Sequence, residues 1–572
     1  MYIIRYNRWL SHPMEDPDLA TELAAIKDDK EAIKDRFAID LSFGTAGMRG
    51  VIGTGTNRMN IYTVRRATQG LANFLHTQGG APSVAVAYDS RIKSDLFARQ
   101  VAGVLAASGV KVHLYPVLEP VPALSFAVRH LSASAGVMIT ASHNPAKYNG
   151  YKVYGPDGCQ MNTAHAGAVM GEIEKLDIFD DVCLMDFDAA VAQGLVSYIG
   201  DNVLEAYYQN VKAQAIRPGL LAASGLRAVY SPLNGTGNVP VRRVLADMGL
   251  ADLAVVPEQE YPDGNFPTAP YPNPEIREAL ALGLQLAQKT DAELMLATDP
   301  DADRVGIAVR DTKGEYQLLS GNEVGVLLLN YICTGRKEAG TLPADAVTVK
   351  SIVSTPMAAA VAARHGVEML NVLTGFKYIG EQILHLEEGG EEDRFIFGFE
   401  ESYGYLAGTY VRDKDAVVAS MLICEMAAYY KTMGMSLYEA MNALYAEYGY
   451  YVNRVESYEF DGLAGMDMMD ELMAQLRQTP LEQIGGQAVT AIADYEAHTR
   501  IHPGTGTTET LALPASNVLE YTLENGASVI VRPSGTEPKV KVYYAARAAS
   551  QAAAQATYEA LAATMHPYFV QA

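Results

Sequence analysis

Short runs of strand-forming apolar residues, each followed by a longer amphipathic stretch, recur along most of the 572-residue chain. Ser83–Tyr88 reads as a strand, Leu96–Ser108 as the helix behind it, and Val112–Tyr115 as the next strand. The pattern restarts at Arg227–Tyr230, at Glu293–Ala297 and at Ala346–Val349. Strands of this kind need helices over both faces, which confines the chain to layered α/β units. The restarts suggest similar units in series, although no residue-level repeat is visible. After about residue 450 the texture changes. Ser528–Val531 and Val540–Tyr543 flank a loop, and an alanine-rich helix is expected over 549–564. That end reads as a smaller α+β domain with an antiparallel sheet. The expected division is 1–205, 206–322, 323–450 and 451–572, the first forty residues being helical and acidic.

Composition narrows the class of function. A 49% hydrophobic and 19% charged chain is ordinary globular material. No run approaches the ~18 uninterrupted apolar residues of a membrane span. Residues 1–10 lack the apolar core of a signal peptide, so a cytoplasmic protein is expected. Cys159, Cys183, Cys333 and Cys424 are scattered, without metal or redox spacing, and read as reduced core residues. The net charge of −23 argues against a nucleic-acid partner. It would also repel an anionic ligand unless local cations overcome the field.

Four loops carry chemistry. In the first, the apolar run Val137–Ile139 empties into Thr140-Ala141-Ser142-His143-Asn144-Pro145. No Gly-x-Ser-x-Gly elbow surrounds Ser142, and adjacent serine and histidine rarely form a nucleophile–base pair. Ser142 therefore needs other activation, such as a cation drawing charge from a phosphate on its oxygen. In the second, Asp299, Asp301 and Asp303 leave another buried strand at alternate positions. Hard oxygen ligands at that spacing suit Mg²⁺ or Ca²⁺. The EF-hand form is excluded, because Arg304 stands where its glycine belongs and Arg310 where its glutamate belongs. The bland alternative is a solvated acidic turn, in which three unpaired carboxylates would repel one another.

The third loop, Arg532-Pro533-Ser534-Gly535-Thr536, offers a guanidinium fork, two hydroxyls and a glycine. It reads equally as a phosphate cradle or as a hairpin turn. The fourth, Phe399-Glu400-Glu401-Ser402, could bind sugar hydroxyls but by itself resembles an acidic turn. Downstream, Arg412-Asp413-Lys414-Asp415 reads from its charge pattern as an ion-paired surface element.

Taken together, in this order and spacing, the four loops resemble those of the α-D-phosphohexomutase superfamily. Within it the chain is similar to the bacterial phosphoglucomutase branch related to the phosphopentomutase/phosphoglucomutase-2 group. Ser42-Phe43-Gly44-Thr45-Ala46-Gly47-Met48-Arg49-Gly50, Leu373-Thr374-Gly375-Phe376-Lys377 and Leu513-Pro514-Ala515-Ser516-Asn517 carry that finer likeness. One departure is Asn234, where the family pattern has histidine. The resemblance implies three similar α/β domains with mixed sheets plus a C-terminal α+β domain, arranged around a central cleft. It implies Ser142 as the phosphoserine, with His143, Arg49 and Lys152 beside it at the transfer site. Asp299, Asp301, Asp303 and Ser142 would hold Mg²⁺. Arg304, Lys377, Glu400, Ser402, Arg532, Ser534, Gly535 and Thr536 would bind substrate. The implied reaction interconverts glucose 1-phosphate and glucose 6-phosphate through glucose 1,6-bisphosphate, with mannose or pentose phosphates as alternative substrates. Partners would be small sugar phosphates, not nucleic acid or membrane.

Overall fold

The computed structural model describes residues 2–44, 47–460, 465–534 and 539–570. Among them lie four sheets. In the first, the spatial order is Gly47–Val51, Tyr148–Tyr154, Ala135–Ile139, Ser83–Tyr88, Lys111–Leu114, Val196–Tyr198. The second runs Tyr316–Leu319, Val305–Arg310, Leu294–Thr298, Arg227–Ser231, Asp252–Val255. The third runs Glu368–Val372, Val347–Ser351, Phe395–Glu400, Gly404–Leu406. All three are mixed, and the fourth, spanning 450–548, pairs antiparallel throughout. The fold class read from the sequence is therefore the one observed.

The three mixed sheets share one connection. A buried strand with a parallel neighbour (Ala135–Ile139, Leu294–Thr298 or Phe395–Glu400) ends in a loop, and the chain returns antiparallel beside it. Ser142, Asp299 and Glu400 all stand at or just beyond the carboxyl ends of those strands, where open α/β sheets place ligands. All three strands are buried at every position, which explains their largely apolar sequence.

One continuous apolar cluster runs through parts of the first, second and third units, from Ala85 and Tyr154 through Tyr230 and Leu296 to Phe399 and Ile423. The fourth unit has a core of its own and meets the third through a small patch, Ile352, Val353 and Leu373 against Tyr495, Ile530 and Tyr543. Ahead of the first sheet lie helices Tyr2–Ser11, Pro17–Ala25 and Lys30–Phe37, where Trp9 packs on Tyr62 and Phe179 with Phe37 against its own ring. The closing helix, Gln551–Val570, runs further than its alanine-rich stretch suggests.

Two expectations are corrected. Cys159, Cys333 and Cys424 are buried and Cys183 is exposed, so only three of the four free thiols belong to the core. Arg412, Asp413, Lys414 and Asp415 are all buried rather than on the surface. Each finds a partner: Arg412 the Glu387 carboxylate and Lys414 the Asp303 carboxylate as ion pairs, Asp413 the Tyr154 hydroxyl, and Asp415 the hydroxyls of Tyr207 and Tyr410. Among the described residues, no helix is long and apolar enough to cross a membrane.

Candidate active site

The serine loop is strained. Ser142 has φ +51°, a left-handed conformation that side chains with a Cβ avoid. Its amide donates to Thr140 Oγ1 at 2.8 Å, and that hydroxyl donates to Asp301 Oδ2 at 3.2 Å. The Ser142 Oγ donates to Asp299 Oδ2 at 2.7 Å and lies 3.2 Å from His143 Nδ1. A residue from the first sheet thus touches the acidic loop of the second. Burial, together with Arg304 and Arg49, holds the His143 imidazolium well below its ordinary range, so the ring is neutral.

Asp299, Asp301 and Asp303 are buried, and one carboxylate oxygen from each lies within 4.8 Å of the others. Asp299 Oδ1 accepts the amides of Asp303 and Arg304, which closes the turn. Asp301 Oδ1 and Asp303 Oδ1 are buried without a hydrogen-bond partner. Orphaned buried anionic oxygens are costly unless something positive takes them up. Burial and repulsion from Asp301 and Asp303 push Asp299 well above the ordinary carboxylate range. For Asp301, burial also acts upward, but Lys152 and its other partners outweigh it and hold the carboxyl low. Convergent hard oxygens with unused lone pairs fit a divalent cation, and these residues form a site that could hold one.

Four cations surround the triad. Lys152 Nζ lies 2.8 Å from Asp301 and 3.5 Å from Asp303. Arg304 is anchored on Glu275 at 2.6 Å, with its Nε 3.8 Å from Asp303. Arg49, on the edge strand Gly47–Val51, donates to Asn144 Oδ1 at 2.9 Å and is open to the cleft. The fourth, Lys414, was not legible as a site residue in the sequence. Its Nζ sits 3.1 Å from Asp303 and 2.9 Å from Asp413, over the Phe376 ring.

The third sheet is stitched to this centre by a bridge between Arg304 and Gly404 and by the Val305 amide donating to the Tyr403 carbonyl. That contact brings Glu400 to the cleft, where it is buried and accepts the Gly375 amide at 2.7 Å. Ser402 is half-buried at the tip of the same hairpin. Lys377, at the start of helix Phe376–Glu388, reaches Thr163 Oγ1 at 3.3 Å and so crosses back to the first unit. On the fourth sheet Arg532 pairs across the ladder with Lys541 and hydrogen-bonds Tyr543. Burial and Glu401 raise that tyrosine, so this strand faces the Glu400–Glu401 hairpin. The Ser534 amide donates to the Lys539 carbonyl at 2.7 Å. Gly535 and Thr536 lie outside the described residues. The structure therefore gathers Ser142, His143, Arg49, Lys152, the three aspartates and Arg304 into one centre. Glu400 and Lys377 stand beside it, and Arg532 comes from a separate unit.

The chain matches phosphoglucomutase/phosphomannomutase alpha/beta/alpha domain I over residues 40–178, domain II over 205–314, domain III over 320–448, and the C-terminal domain over 481–562. A curated phosphoglucomutase from Staphylococcus haemolyticus is 38% identical over 508 residues, 89% of this chain and 90% of that one. Among solved structures, a putative phosphomannomutase from Thermus thermophilus superposes with a TM-score of 0.68 at 24% identity, covering 93% of this chain and all of that one. The open form of parafusin, a phosphoglucomutase from Paramecium, gives 0.69 at 16% identity, over 93% of this chain and 95% of that one.

Proposed function

The chain belongs to the phosphoglucomutase/phosphomannomutase family of the α-D-phosphohexomutases, and on that premise we propose that it interconverts glucose 1-phosphate and glucose 6-phosphate in the cytoplasm. The observation that carries the reading is Ser142 Oγ held 2.7 Å from Asp299 inside a buried cluster of three aspartates. A serine oxygen at this place lies where a cation held by the three aspartates would offset the charge of a phosphoryl group carried on it. Asp299, Asp301 and Asp303 would hold Mg²⁺, whose chemistry is charge stabilisation on a phosphoryl group.

In the forward direction the phosphoryl of phosphorylated Ser142 passes to O6 of glucose 1-phosphate. The P–Oγ bond breaks, the P–O6 bond forms, and the proton lost from O6 is balanced by one gained at Ser142 Oγ. The bisphosphate turns in the cleft, its C1 phosphoryl returns to Ser142, and glucose 6-phosphate is released. Such transfers are mostly positioning and electrostatics, which this site is equipped to supply. Lys152, Lys414, Arg304 and Arg49 offset negative charge on the transferring oxygens. His143 Nδ1, neutral and 3.2 Å from Oγ, is placed to exchange the serine proton. Glu400 and Ser402 take sugar hydroxyls. Lys377, Arg532 and the 534–536 loop hold the phosphate that is not reacting.

The test is a coupled assay for glucose 6-phosphate, with glucose 1-phosphate, Mg²⁺ and a trace of glucose 1,6-bisphosphate. Mannose 1-phosphate and ribose 1-phosphate serve as competing substrates. Turnover of glucose 1-phosphate with phosphate found on the Ser142 peptide supports the reading. Release of free phosphate without glucose 6-phosphate would mean a phosphatase and would refute it.

A further inference from the structure

One buried arginine outside the reacting groups holds the serine loop. Arg91 Nη1 donates to the carbonyls of Pro145 and Tyr148, each at 3.0 Å, and Nη2 donates to those of Ser142 and Asn144. Four carbonyls of a seven-residue segment thus converge on one guanidinium. Among the backbone bonds near the segment, the Asn144 amide donates to the Ala141 carbonyl and the Tyr148 amide to the Pro145 carbonyl. Yet the loop keeps Ser142 in the left-handed region, and it passes so close to the return strand that a Cβ on Gly150 would lie 2.4 Å from the Thr140 carbonyl. A backbone held this far from its preferred state needs external support.

Arg91 is itself seated from two sides. Asp89 Oδ2 lies 3.4 Å from its Nε, with both side chains fully buried, and Asp89 Oδ1 accepts the Arg91 amide and the Ser94 hydroxyl. From the other side, the Phe266 ring of the second unit lies under the guanidinium, 5.0 Å from its carbon to the ring centroid. Phe266 is buried with φ +46°. Two residues before it, Gly264 runs directly against the Ser90–Ile92 backbone, where a Cβ would meet the Ile92 amide at 2.5 Å and the Ser90 carbonyl at 2.7 Å. The second unit also carries Asp299, so Arg91 touches both parts of the molecule whose alignment sets the Ser142–Asp299 contact.

We propose that Arg91, seated on Phe266, is a positioning residue for phosphoryl transfer: it locks the serine loop to the aspartate-bearing unit and so aims Ser142 Oγ. The proposal rests on Ser142 as the phosphoryl carrier. Only a guanidinium suits the position, because a planar fork reaches spread carbonyls and stacks on a ring, whereas a lysine ammonium is a single point. Arg91 touches neither substrate nor the acidic centre, so its loss should misplace the nucleophile without weakening the grip on the sugar phosphate.

Arg91→Lys and Phe266→Leu test this by steady-state kinetics with glucose 1-phosphate and by hydrogen exchange of the 138–150 peptide. Arg91→Lys should lower kcat by roughly a hundredfold, the cost of about an ångström of misplacement, with KM changed less than about threefold. Phe266→Leu should lower kcat by severalfold with the same split. In both, amides 140–148 should exchange faster while the helix Gln551–Val570 exchanges as in the wild type. Unchanged kcat and unchanged loop exchange would overturn the proposal. So would a rise in KM that matches the fall in kcat. Should Arg91→Lys fail to fold, Phe266→Leu decides on the same criteria. Faster loop exchange in the variants of a protein that turns over no sugar phosphate would keep the clamp and sink the mutase reading instead.

Discussion

Replacing Glu400 with glutamine isolates one charge in the cleft. Glu400 is 5% exposed and accepts the Gly375 amide at 2.7 Å. Burial, and after it the neighbouring Glu401, push its carboxyl up to about 7, while Lys414, the Gly375 amide and Arg304 pull the other way. Folding therefore favours the protonated form. The favourable contribution is fully present below the ordinary value of 4.5 and is lost as pH rises through about 7. At 1.36 kcal/mol per unit, the gap corresponds to about 3 kcal/mol. Glu400→Gln keeps an acceptor for the amide but never ionises. It should exceed the wild type in stability by about 3 kcal/mol at pH 8, and the difference should vanish near pH 4.5. Urea unfolding of both proteins at the two pH values measures this. The same substitution should cost activity, because an ionised acceptor for a sugar hydroxyl is worth ~1.5–3 kcal/mol, or roughly ten- to hundredfold in kcat/KM. Wild-type kcat/KM should accordingly rise with pH through about 7. A stability difference between wild type and variant that is the same at pH 4.5 and pH 8 would overturn the account of Glu400.

Asp301→Asn should lose most activity, and chelation should do the same to the wild type until Mg²⁺ is restored. Calorimetric titration should find Mg²⁺ binding in the wild type and much weaker binding in the variant; full activity in metal-free buffer would mean the triad is only a turn. Lys414→Met leaves Asp303 and Asp413 buried with one counter-charge fewer, so thermal and denaturant unfolding should register a loss of about 3–5 kcal/mol. A loss below about 1 kcal/mol would return the residue to the surface role its sequence suggested. Arg532→Ala should raise KM for glucose 1-phosphate and lower kcat, at least tenfold in kcat/KM, while Ser142 phosphorylation persists by mass spectrometry.

The layered α/β class, the antiparallel C-terminal unit and the acidic loop are legible in the residues alone, because their evidence is local. A buried strand must be apolar, and Asp299, Asp301 and Asp303 display a ligand set within five consecutive positions. The rest depends on contacts between distant segments. The likeness of the three mixed units lies in their connection, a strand with a parallel neighbour, a loop, then an antiparallel return, and it is a likeness of topology that the residues of the three units do not repeat. Arg412–Asp415 reads as surface because four charges in a row are usually solvated; here their partners arrive from Glu387, Tyr154, Asp303 and Tyr207. Arg91 and Phe266 stand 175 positions apart and acquire a role only where two units meet. Which ionisable groups are buried, and beside which opposite charge, depends on how distant segments pack. That packing sets the cost of each charge, and with it which of two similar acidic or basic stretches becomes a site.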